Sequence, residues 1–195
     1  MVEITFWVLL SKLSGHTTLV QHLQEGGIAY KETRRTIVSM VQIEHERKFQ
    51  VVGREWGRSV LEKYRIKQGY LIDENGVEVR VRVLKDKAVL TCKIKSGEDI
   101  SKRIEIEESI SLDLGLELYE RCHNKLEKTR FMVEDRNLLW EVDEYLLELE
   151  GVVTAEIENP PNDLVLPVWI GRELTGVDGW SNASLAKNGR PDQDK

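Results

Sequence analysis

The sequence predicts a β-dominated α+β fold: an antiparallel sheet closed into a β-barrel, with a few flanking helices. Three observations carry that prediction. Apolar and charged residues alternate with a period of two along about seven segments from Ile43 onward. Turn-forming residues separate those segments at hairpin spacing. Only one strong helical pattern is present, too little to cover the apolar side of an open sheet. Rolling the sheet up resolves this, because apolar faces then pack outward on helices and loops while charged faces line a wet lumen.

Residues 1–41 precede the alternation. The run Ile4-Thr5-Phe6-Trp7-Val8-Leu9-Leu10 is apolar, but no Lys or Arg comes before it, as a secretory signal would require. Gly15, Gly26 and Gly27 interrupt a stretch with no sustained period. The expectation is a weakly ordered extension, with Met40 as an alternative start. Strands follow. Glu44, Glu46 and Lys48 alternate with Ile43, His45, Arg47 and Phe49; Glu78, Arg80 and Arg82 alternate with Val77, Val79, Val81 and Val83. Lys93 and Lys95, then Arg103, Glu105 and Glu107, continue the pattern, as do Lys128 and Arg130, Glu141 and Asp143, and Glu156 and Glu158. Turns are expected at Asp73-Glu74-Asn75-Gly76, Lys85-Asp86-Lys87 and Ser96-Gly97-Glu98-Asp99. Ser111 to Cys122 breaks the alternation and reads as a helix of about three turns capped by Ser111. Pro160, Pro161 and Pro167 mark a loop, Asn182 to Lys187 a short helix, and residues 188–195 a polar tail. The domain therefore spans 42–187.

The chain has 195 residues, with Lys+Arg 28 against Asp+Glu 34, a formal net charge of −6 and a charged share of 32%. That share exceeds the usual value of roughly 25%. An acidic balance excludes a nonspecific nucleic-acid coat while leaving room for a local basic pocket. Cys92 and Cys122 make neither a disulfide framework nor a Cys-rich zinc site. No apolar run reaches the roughly 20 residues that span a bilayer. The expected setting is reducing and cytoplasmic, with neither nucleic acid nor membrane as partner. Oligomeric state stays open, a homodimer among the options.

The charged faces are the unusual feature. Nucleotide-binding glycine loops, H-E-x-x-H and Cys/His metal spacings are all absent. A lumen carrying Lys48, Arg80, Arg82, Lys93, Lys128 and Arg130 supplies many N–H donors, which suits a polyanion such as a phosphate chain. Glu44, Glu46, Asp143, Glu156 and Glu158 supply carboxylate oxygens, hard ligands that favour Mg²⁺ or Mn²⁺ over zinc. Metal, polyphosphate and a basic clamp are the equipment of phosphoryl transfer.

Glu44-His45-Glu46-Arg47-Lys48 resembles the E-x-E-x-K signature of the CYTH, or triphosphate tunnel metalloenzyme, superfamily. The resemblance continues in order through Gln68-Gly69-Tyr70-Leu71, Glu78-Val79-Arg80-Val81-Arg82, Leu90-Thr91-Cys92-Lys93 and Arg103-Ile104-Glu105-Ile106-Glu107. Glu127-Lys128-Thr129-Arg130, Trp140-Glu141-Val142-Asp143, Ala155-Glu156-Ile157-Glu158 and Trp169 to Thr175 complete it. It implies an eight-stranded antiparallel tunnel holding a triphosphate and a divalent metal, and an inorganic triphosphatase activity like that of the short bacterial members. The same resemblance implies that Glu44, Glu46, Asp143, Glu156 and Glu158 serve the metal and the attacking water, with Glu156 a water-orienting candidate. By the same token, Lys48, Arg80, Arg82, Lys93, Lys128 and Arg130 contact phosphate, with Lys93 also a catalytic candidate. Tyr70 matches a tyrosine given an acid–base role. The alternatives are a class IV adenylate cyclase, a nucleoside or thiamine triphosphatase, and a noncatalytic polyphosphate-binding module. Some relatives carry lysines where this chain has Trp180-Ser181-Asn182-Ala183, so charge is lower near one tunnel mouth.

Overall fold

The computed structural model describes residues 42–43, 45–95 and 103–191. The extension expected over 1–41, Glu44, the turn expected at 96–99 and the last residues of the polar tail lie outside the described residues.

The strands are β1 (Gln42–Ile43), β2 (Glu46–Val51), β3 (Val60–Glu74), β4 (Val77–Val83), β5 (Ala88–Lys95) and β6 (Arg103–Ile110). After helix α1 (Leu112–Arg121) come β7 (Asn124–Asp135), β8 (Leu138–Tyr145), β9 (Val153–Glu158), β10 (Ile170–Glu173) and helix α2 (Asn182–Asn188). They form one 10-stranded sheet in the order β1-β6-β5-β4-β3-β7-β8-β9-β2-β10. Every pairing in it is antiparallel. Eight strands were expected; the short β1 and β10 add to β2–β9. Hydrogen bonding between described strands does not close the sheet into a ring. β1 pairs with β6 and, a few residues later in the chain, β2 pairs with β9.

Two tight turns set the hairpins. Asn75 and Gly76 both have positive φ (53° and 79°), as do Arg136 and Asn137 (53° and 61°). Two such residues between paired strands make the turn whose twist matches the sheet. Ser111 caps α1 as expected, its Oγ accepting from the Leu114 N–H at 3.3 Å.

The apolar core lies on the outer side of the curled sheet. One cluster gathers Phe49, Trp56, Val133, Trp140, Val142, Ala155, Ile157 and Trp169. Another joins Val81, Val83 and Ala88 to Tyr119 and Cys122 of the α1 segment. Leu112 and Leu118 of α1 pack against this cluster. Leu114 and Leu116 are exposed, while Gly115 sits so close to Ala88 that an added Cβ would lie 2.2 Å from its methyl. Leu126, Tyr145, Leu149, Val152, Leu174, Trp180 and Leu185 form the third cluster, which fixes α2.

Candidate active site

Opposite the core, the sheet encloses a cavity lined by Glu46, Gln68, Arg80, Arg82, Lys93, Glu105, Glu107, Lys128, Arg130, Glu141, Glu156, Glu158 and Asn182. Each strand from β2 to β9 contributes, and no apolar residue does. Small-molecule pockets are mostly apolar. A wall made only of charges and amides is a site for a charged, strongly hydrogen-bonding ligand.

Strand register builds the wall, because directly opposed residues share a face. Lys48 faces Glu156 between β2 and β9, Arg130 faces Asp143 between β7 and β8, and Glu141 faces Glu156 between β8 and β9. Arg130 forks onto Asp143, with Nε donating to Oδ1 at 2.8 Å and Nη2 to Oδ2 at 2.7 Å. Nη2 also reaches Glu156 at 3.0 Å, and Nη1 pairs with Glu141. The Lys128 ammonium donates to Asp143 Oδ2 at 2.6 Å, and Lys48 Nζ lies 2.9 Å from Glu156 Oε1. These groups are almost entirely buried, Asp143 at 0% exposure and Lys128 at 1%.

Burial alone disfavours every one of these charges. For Glu156 it is overcome by Lys48, Lys128 and Arg130, which hold its carboxyl well below the ordinary value. Asp143 is likewise held low against burial by Arg130 and Lys128. Burial pushes Lys128 down to about 8 despite Asp143, which still leaves an ammonium at neutral pH. Glu141, at the edge of this network, is raised by burial against the pull of Arg130.

Across the cavity, on β4, β5 and β6, the Arg80 contacts are longer. Arg80 Nη2 lies 3.3 Å from Glu105 and Nη1 3.4 Å from Glu78, while Lys93 Nζ lies 2.8 Å from Glu105. Arg82 pairs with Glu107, whose Oε1 also accepts from Thr91 at 2.8 Å. The Glu107 side chain is 44% exposed.

Glu46 sits where the two sides come within electrostatic reach. Its carboxyl is raised to about 7, first by the Glu156 carboxylate and then by burial, against Lys48, Lys93 and Arg80. Glu158 stands directly opposite it. Two carboxylates opposed across a strand pair repel. A cation there would relieve them. Among the described residues no three acidic, His or Cys side chains converge closely enough to hold a metal as they stand. Glu44, the other half of the E-x-E pair, lies outside the described residues.

Of the sequence-predicted site residues, Glu46, Arg80, Arg82, Lys93, Lys128, Arg130, Glu156 and Glu158 reach the cavity wall. Lys48, Asp143 and Tyr70 stand just behind it. Both Asp143 oxygens are taken by Lys128 and Arg130, which makes this residue an anchor for cations. The Tyr70 hydroxyl accepts from Gln68 Nε2, and burial, reinforced by Glu78, raises its pKa well above the ordinary phenol value. It keeps its proton at neutral pH. The sequence reading placed Glu105, Glu107 and Glu141 on the charged faces that line the lumen but gave them no site role; all three stand on the wall. It missed Gln68 and Asn182, which carry no charge to mark them.

No family model matches the chain. A curated protein of Acetivibrio thermocellus, an inorganic triphosphatase, is 39% identical over 149 residues, covering 74% of this chain and 94% of that protein. The chain belongs to the inorganic triphosphatase family. Two solved structures of the protein NE1496, one described as an inorganic triphosphatase, are 27% identical with TM-scores of 0.56. Each match covers 73% of this chain, and 97% and 93% of the solved chains respectively. Family membership agrees with the motif series from Glu44 to Thr175.

Proposed function

We propose that the protein is a metal-dependent inorganic triphosphatase, cleaving a phosphoanhydride bond of tripolyphosphate with water inside the charged cavity. One observation carries the reading: a cavity walled only by charged and amide side chains, on a chain 39% identical to an inorganic triphosphatase. The segment from β1 to β2 closes the sheet into a tunnel, its two parts bridging β6 and β9.

The chemistry follows from the wall. Arg80, Arg82, Lys93, Lys128 and Arg130, backed by Lys48, neutralise charge on the transferring and leaving phosphates, where little solvent screens them. Asp143 positions Lys128 and Arg130 by its three charge-assisted hydrogen bonds. Glu156, kept ionised, orients the attacking water through a lone pair and is too weak a base to take its proton early. Tyr70, keeping its proton, does not act as a base; by accepting from Gln68 Nε2 it orients the Gln68 amide at the cavity wall. Oxygen-only donors suit Mg²⁺ or Mn²⁺, which Glu46 and Glu158 would hold with Glu44. When bound, such an ion supplies Lewis-acid charge stabilisation to phosphoryl oxygens. The free thiols Cys92 and Cys122 are consistent with a reducing compartment. No described helix is long and apolar enough to cross a membrane.

A product assay tests the reading. Tripolyphosphate, ATP and thiamine triphosphate are each supplied with Mg²⁺, Mn²⁺ or chelator. Phosphate release from tripolyphosphate, abolished by chelator, is expected. Cyclic AMP from ATP, or binding without turnover, would replace this function with another.

A further inference from the structure

Tyr145 and Asn182 join the two lysines of the β2 and β7 strands. Lys48 Nζ donates to the Tyr145 hydroxyl at 3.4 Å, and that hydroxyl donates to Asn182 Oδ1 at 2.5 Å. Lys128 Nζ reaches the same Oδ1 at 3.4 Å. Both ammoniums also lie over the Tyr145 ring, 6.0 and 5.6 Å from its centre. The direction of these bonds is forced, because an ammonium has donors and no acceptor. The Asn182 atom facing Lys128 must be its oxygen. The amide nitrogen therefore points the other way, and the side chain lines the cavity. Among the described residues this NH₂ has no hydrogen-bond partner, and it is not buried away from solvent.

We infer that Asn182 is a substrate-binding residue: with Oδ1 fixed by Tyr145 and Lys128, its NH₂ donates to a non-bridging phosphoryl oxygen of the polyphosphate. A neutral donor at this position adds a directional contact where cationic residues stand elsewhere on the wall. The inference rests on the triphosphatase reading for the identity of its ligand.

Two variants test it, each measured by turnover and by calorimetric binding of tripolyphosphate in the presence of Ca²⁺. Asn182→Asp keeps an oxygen for Tyr145 and Lys128, so α2 stays anchored, but it replaces the lumen-facing donor with an acceptor. Its KM and Kd for tripolyphosphate should rise about tenfold or more, the cost of losing a hydrogen bond to a charged group. Its kcat should change far less, and its ligand-free melting temperature should not fall. Asn182→Ala removes the donor without adding charge and should also weaken binding, by a smaller factor. A wild-type Kd in either variant overturns the inference, since a contact that matters must be missed in both. Absence of turnover in the wild-type protein would instead overturn the triphosphatase reading, while the Kd values still decide whether Asn182 contacts the polyanion.

Discussion

The two charged sides of the cavity use the same residue types to different ends. On β2, β7, β8 and β9, Lys48, Lys128, Arg130, Asp143 and Glu156 are buried, and each charge meets at least one opposite partner within 3.0 Å. On β4, β5 and β6, two of the three Arg80 and Lys93 pairings stretch to 3.3 and 3.4 Å, and Glu107 is almost half exposed. Between them runs β3, which gives the cavity wall only the uncharged Gln68. The first side is a fixed framework, because moving any member strands a buried charge. On the second side Lys93 and Glu105 are buried as well, and only the partly exposed Arg82–Glu107 pair can change partners at lower cost. The two walls thus differ at the exposed Glu107 and in the longer Arg80 contacts.

The largest effect should come from breaking the fixed side. Asp143→Asn leaves Lys128 and Arg130 without their shared anchor, and removing one partner of a buried pair costs about 3–5 kcal/mol. Urea unfolding at pH 7 should show it. A loss below about 1 kcal/mol would mean that the framework is no more rigid than the opposite wall. Next comes the junction residue: Glu46→Gln preserves shape but removes charge, and turnover should fall by about 10²–10³ if a metal's several kcal/mol of stabilisation depends on it. Near-normal rates in a folded Glu46→Gln protein would remove Glu46 from the site.

Acid should also separate the two sides. Asp143 and Glu156 have folded pKa values below their unfolded values of about 4, so their contribution is fully present above that range and is lost as pH falls through the folded values. Wild-type stability should therefore drop steadily below about pH 4, and the Asp143→Asn curve should be flatter over the same interval. Parallel curves in urea titrations would show that Asp143 is not held low. The smallest effect is expected at Glu107→Gln, where the Arg82 pair is partly exposed and worth about 1 kcal/mol or less.

How legible this was in the sequence varies by strand. Period two placed charges on one face of β2 and of β4 to β9, and Glu46, Arg80, Arg82, Lys93, Glu105, Glu107, Lys128, Arg130, Glu141, Glu156 and Glu158 among them line the cavity, with Lys48 and Asp143 just behind it. β3 escaped the pattern because its polarity is inverted: Lys63, Arg65 and Lys67 point outward, Arg65 to an ion pair with Glu127, while neutral residues face in. Charge alternation reports which face is polar and not which face is inside. The same limit hid Gln68 and Asn182. Their roles depend on register and on the docking of α2 through Leu185, which bring together residues far apart in sequence. Asp143 was legible as an acid of the charged face, but its engagement by Lys128 and Arg130 emerged only once the Arg130 fork was visible.

The central claim is that these charged faces form one binding site for a triphosphate. Thermal unfolding with tripolyphosphate or orthophosphate, each with Ca²⁺ in place of a catalytic metal, tests it most directly. A ligand bound only by the native state at a hundredfold excess over Kd stabilises by about 2.7 kcal/mol, or roughly 5–10 °C for a domain of this size. Tripolyphosphate should produce that shift and orthophosphate only a small part of it, since a single phosphate spans few of the cationic groups. Equal shifts from the two anions, or none from either, would contradict the account.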